Sequence, residues 1–111
     1  MKILQKICFV LLLTTFSSVY GGDCFKDKDI EDCRVKAEQG HYDAQYNLGN
    51  MYAQGQGVVQ DYVMAHMYWN IAAVSGDKSA IENRGIVEKK MTSSQIEKAQ
   101  DLAREWMQKH Q

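Results

Sequence analysis

Three sets of residues in this 111-residue chain have the types and spacing for chemistry. Ser75-Gly76-Asp77-Lys78 has a serine three residues before a lysine, the spacing that sets a lysine one helical turn from a nucleophilic hydroxyl in acyl-transferring serine enzymes. That arrangement needs a continuous helix, and Gly76 sits inside the motif. No S-D-N or K-T-G segment follows, so a turn is the better reading and no catalytic residue is assigned. His41, His66 and His110 are the chain's histidines. None forms an H-x-x-x-H pair and none lies near a cysteine, so ligand spacing for a metal is missing, and no metal or other cofactor is expected. His41 reads as an early helix residue and His66 as a half-buried packing or hydrogen-bonding residue.

Cysteines form the third set. Cys8 lies in a segment with the layout of a secretory leader: Lys2 and Lys6, the apolar run ICFVLLLTTF, then SSVYGG. The apolar run is well short of the ~20 residues a spanning helix needs. Residues 1–22 are therefore expected to be a signal peptide, cut after Gly21 or Gly22, with no membrane insertion afterwards and a periplasmic or secreted product. Cys24 and Cys33 remain, an even count in an oxidising compartment, and a disulfide between them is expected. It requires residues 25–29 to fold back, because nine residues of continuous helix would separate the Cα atoms by about 13.5 Å. Lipid attachment at Cys24 is disfavoured by Asp23.

The leader carries two of the 13 basic residues and none of the 14 acidic ones, so residues 23–111 have a formal charge of −3 with histidines neutral. Without a basic patch, nucleic acid is not an expected partner.

The elements that carry these residues follow from an internal echo. Shifted by 36 residues, AEQGHYDAQYNLGNMY (37–52) meets AVSGDKSAIENRGIVE (73–88) with five identities: Ala37/Ala73, Gly40/Gly76, Ala44/Ala80, Asn47/Asn83 and Gly49/Gly85. A period in the mid-thirties is the mark of a helical-hairpin solenoid. Gly40 and Gly76 end helices, and Gly55 and Gly57 mark a turn after Tyr52. Asp61 caps a helix whose buried face is Ala65, Trp69, Ala72 and Ala73. A fourth helix runs from about Asp77 to Lys89. Thr92 and Gln95 form a capping box before a last helix with Ile96, Ala99, Leu102, Ala103 and Trp106 on one face. Gly49 interrupts the apolar face of Ala44, Leu48, Met51 and Tyr52, where glycine costs roughly 1 kcal/mol against alanine. It is read as a close-approach point facing Ala65, Trp69 and Ala72, a role that Gly85 is expected to repeat. The expectation is an all-α domain over residues 23–111: five helices in a short α/α superhelix, a tetratricopeptide-like solenoid.

The pattern A37-x-x-G40-x-x-x-A44-Q-x-x-L48-G49-x-M51-Y52-x-x-G55-x-G57-V58-x-x-D61-x-x-x-A65-x-x-x-W69-x-x-A72-A73-x-x-G76 resembles the Sel-one-like repeat, a branch of the tetratricopeptide-like superfamily. One complete repeat spans about residues 40–76. A degenerate second repeat and capping helix span about 77–109, with Arg84 and Glu88 in place of the leucine and tyrosine. Members commonly carry a proline where Val59 stands. The resemblance implies a non-enzymatic adaptor or scaffold that binds a protein or peptide. Some cysteine-rich relatives bear a β-lactamase or penicillin-binding label, which is the alternative. In such hairpins the first helix of a pair lines the groove, which would place Asp43, Tyr46, Asn50 and Gln54 against a partner. Solenoids usually need about three repeats to bury a core. A Trp106 cap, a Cys24–Cys33 staple or a homodimer would compensate here, and self-association as an envelope component is a further alternative.

Overall fold

The computed structural model describes Cys24 and residues 29–111. The leader assigned to residues 1–22 lies outside them. Among the described residues the fold is all-α, with five helices: α1 Ile30–Glu38, α2 Tyr42–Gln54, α3 Tyr62–Val74, α4 Lys78–Glu88 and α5 Ser93–Lys109.

Local chemistry sets the helix ends. Asp29 caps α1 by accepting from the Glu31 and Asp32 amides. Asp61 accepts from Met64 N at 3.2 Å, and Asp77 from Ser79 and Ala80 N at 3.0 and 3.2 Å. Thr92 and Gln95 form the reciprocal capping box, at 2.9 and 3.2 Å. His41 stands at the repeat position of Asp77 and gives α2 no side-chain cap. Asp43 instead accepts from the Ala44 amide at 3.0 Å. Gly40 and Gly76, one repeat apart, take φ 92° and 87°, left-handed geometry that glycine adopts at low cost. The loop after α2 closes where Asp61 N donates to Tyr52 O at 2.9 Å and Gln60 Nε2 to Ala53 O at 2.8 Å.

Helix α3, YVMAHMYWNIAAV, is apolar around most of its circumference. A helix of that kind belongs inside, and α3 packs against α2, α4 and α5, while α1 packs against α2. Ala65, Ala72, Leu48 and Met51 are fully buried at the centre, and Ala73 is half-buried. On α5, Ala99 and Ala103 are buried, with Ile96, Leu102 and Trp106 half-buried beside them. Cys33 and its repeat partner Trp69 are both buried, and Cys24 and Cys33 stand at disulfide distance with Cα atoms 5.1 Å apart.

The close approach at Gly49 is made by Trp69. A Cβ there would lie 2.3 Å from Trp69 Nε1 and 2.4 Å from Cδ1, so the indole occupies the space an alanine methyl needs. Trp69 Nε1 donates to Tyr46 O at 3.2 Å, one turn before Gly49. Gly85 does not repeat this role. It is exposed, with nothing within 4 Å of a built Cβ. Its counterpart of Trp69 in the 36-residue register is Glu105, an exposed residue of a helix that packs on α3.

Candidate functional site

Helices α2, α3 and α4 enclose a groove of about 280 Å³. Asn50 and Gln54 line it from α2, Tyr62 and Trp69 from α3, and Asn83 and Ile86 from α4, with Lys90 at the start of the α4–α5 turn. Asn83 Nδ2 reaches two acceptors across the helix pair, Tyr46 Oη at 3.3 Å and Asn50 Oδ1 at 3.4 Å. Lys90 Nζ lies 5.9 Å from the centre of the Tyr62 ring. The walls thus offer amide donors and acceptors, two aromatic rings and one cation.

Of the four residues placed in a groove by sequence, Asn50 and Gln54 line this one. Tyr46 is half-buried against the core, its hydroxyl joined to the groove through Asn83. Asp43 stands apart at the start of α2, exposed, its carboxylate engaged by the Ala44 amide. Sequence reasoning missed Asn83, Ile86 and Lys90, which come from the degenerate copy. Asn83 had a signal, since it is identical to Asn47 one repeat earlier. On α2 itself, Asn47 instead reaches Cys24 Sγ at 3.9 Å.

The other singled-out residues do not converge. Ser75 is the C-cap of α3, and Lys78 opens α4 beyond the left-handed Gly76, so no helix carries both. His66 is fully buried, deeper than expected, with Nε2 2.8 Å from Glu88 Oε1. His41 heads α2, and His110 lies against Trp106 at the end of α5. Among the described residues no group of three or more His, Cys, Asp or Glu side chains is arranged to hold a metal ion. Burial, then the neighbouring Tyr52, pushes the Tyr68 phenol up to about 12, so it is neutral at ordinary pH. It stacks on Tyr52 with ring centres 5.9 Å apart, and Tyr52 Oη accepts from Arg34 at 2.9 Å.

The model of the Sel1 repeat matches this chain twice, at residues 43–77 and 91–109. The first match covers α2, α3 and the turn to Asp77. The second covers the Thr92 cap and α5. This is a Sel1-like repeat protein. Sel1 repeats generally mediate protein–protein interaction. The chain is similar to the exopolysaccharide production negative regulator of Rhizobium leguminosarum bv. viciae, with 37% identity over 60 residues, 54% of this chain and 22% of that one. It is also similar to the protein of the same description in Rhizobium meliloti (strain 1021), with 34% identity over 77 residues, 69% of this chain and 28% of that one. The chain thus spans about a quarter of the length of these curated relatives.

Proposed function

We propose that this Sel1-like protein is an exported, non-enzymatic adaptor that holds an extended segment of another protein in the groove between α2 and α4. The observation that carries this reading is the groove's chemistry. Asn50, Gln54 and Asn83 present side-chain amides that can meet a peptide backbone, beside the half-buried ring of Tyr62. Aromatic anchors of this kind concentrate binding energy. Lys90 at the rim favours an acidic residue in the bound segment. Export rests on the leader pattern of residues 1–22 and on two cysteines at bridging distance. The regulatory description of the two rhizobial relatives supports a role in controlling an envelope process through the captured protein.

The test is affinity capture by the oxidised chain from envelope and extracellular fractions, with Asn50→Ala/Gln54→Ala alongside. These two residues line the groove without filling the core, whereas Tyr46→Ala would disturb packing as well. A protein retained by the wild type and lost by the folded double variant is the expected result. Equal retention by both places the partner elsewhere on the surface. An empty capture with concentration-dependent sedimentation assigns the groove to a second copy of the chain.

A further inference from the structure

A second hollow, of about 220 Å³, forms where the C-terminal ends of α1, α3 and α5 meet the start of α2. It shares no lining residue with the α2–α4 groove. Gln45 and Trp106 are among the residues lining it, and Ile71, Val74 and Met107 contribute aliphatic wall. Val74 is 70% exposed, an apolar residue left in water at the end of the most buried helix.

Two atoms here have unmet hydrogen-bonding demand. Gln45 is 3% exposed. Its Nε2 donates to Ala37 O at 3.2 Å, which fixes the amide and leaves Oε1 as a buried acceptor with no donor. Trp106 Nε1 is a buried donor with no acceptor. His110 stacks on that indole with ring centres 3.8 Å apart, pairs with Glu38 across the rim, and so holds the ring in place. Buried polar groups almost always find a partner, because an orphan loses its hydration without compensation. One buried acceptor and one buried donor, not bonded to each other, thus belong to side chains that line the same cavity.

We propose that this hollow is a second binding site, taking the backbone of an extended peptide at a residue with an uncharged aliphatic side chain. The peptide N–H donates to Gln45 Oε1, its C=O accepts from Trp106 Nε1, and the side chain covers Ile71, Val74 and Met107. The volume falls below the roughly 300–1,000 Å³ of drug-sized pockets, which suits a single residue. A residue in an extended chain meets both demands with its own N–H and C=O. A sugar hydroxyl also could, but the rest of the ring would set polar groups against the aliphatic wall.

The test titrates ¹⁵N-labelled protein with N-acetyl-leucine N-methylamide and follows the two indole N–H resonances. Trp69, already bonded to Tyr46 O, is the internal reference. The Trp106 resonance is expected to move and saturate in the millimolar range, while Trp69 stays. N-acetyl-N-methyl-leucine dimethylamide, which has no N–H, is expected to bind about fivefold more weakly or worse. Trp106→Phe is expected to weaken the probe by a similar factor, followed through the Gly40 and Gln45 amides, and to melt no lower than the wild type because it deletes an orphan donor. Three results overturn the proposal. In one, the Trp106 indole ignores the probe. In another, both amides bind equally. In the last, a long-lived water contacts that indole and the probe does not displace it, which makes the orphans sites for structural water alone.

Discussion

Gly49 and Gly85 occupy the same place in two copies of one repeat, each in the interior of the first helix of a hairpin. Around Gly49 the chain places Trp69, its indole so close that a methyl group would overlap it. Around Gly85 there is open space. The backbone copies the repeat faithfully, as the left-handed Gly40 and Gly76 and the buried Ala44 and Ala80 show. The contact is not copied, because it depends on the helix that follows. After α2 comes α3, with a tryptophan in register. After α4 comes α5, which has Glu105 in that register and packs on α3 instead. A repeated residue therefore establishes a repeated position, while its packing role must be shown in each copy.

Alanine substitution separates the two glycines most sharply. Gly49→Ala drives a Cβ into the Trp69 ring and is expected to destabilise the fold by about 3 kcal/mol, the upper part of the range for overpacking. Gly85→Ala meets nothing and should stabilise by about 0.5–1 kcal/mol, the helix-propensity gain. Urea melts of both variants give the comparison directly. In a Trp69→Leu background, Gly49→Ala should lose most of its cost, a coupling that a double-mutant cycle reads out. Similar melts for Gly49→Ala and Gly85→Ala would mean that Trp69 moves freely and that the close approach contributes nothing.

The two ends of the superhelix are also closed by different means, and a reductant distinguishes them. An oxidised Cys24–Cys33 bridge, with its sequence separation of 9, contributes roughly 2.5 kcal/mol on the loop-entropy model. Reduction is expected to lower stability by about that amount, with amide exchange rising first in α1. A protein that melts identically with and without reductant has two free thiols, and α1 is then held by its packing on α2.

These contrasts explain what could be read in advance. Helix ends were legible because capping is local: Asp61, Asp77, the Thr92/Gln95 box and the left-handed glycines act within a few residues of themselves. The Gly49–Trp69 contact was legible because both residues fall within one complete repeat. The groove was half legible. Asn50 and Gln54 follow from the resemblance, in which the first helix of a pair lines the groove, but Asn83, Ile86 and Lys90 come from a copy whose sequence has drifted, and Asp43 lies where α2 begins and its own amide neighbour claims the carboxylate. The depth of His66 was hidden because its partner, Glu88, is 22 residues away on another helix. The unpartnered atoms of Gln45 and Trp106 gave no sequence signal, since the absence of a hydrogen-bond partner exists only once the helices have docked.

The smallest effect concerns the closure at the C-terminal end. His110 stacks on Trp106, bonds its Nδ1 to Trp106 O at 2.5 Å and pairs with Glu38 at the end of α1, bringing the last helix to the first. Its hydrogen bond to Glu38, followed by that to the Trp106 carbonyl, raises its pKa above the usual imidazole range. A raised histidine pKa means that the folded state binds the proton more tightly. The contribution is therefore fully present below about pH 6.5 and is lost as pH rises through the folded-state value. The contact is exposed, so the effect is a tilt in the pH profile rather than a transition. Melting curves from pH 5 to 8 should show the wild type losing slightly more stability on the alkaline side than His110→Ala, with Glu38→Gln behaving like the histidine variant. If the three profiles are parallel, the rim contact leaves stability unchanged, and stacking on Trp106 alone holds α5 against the end of α1.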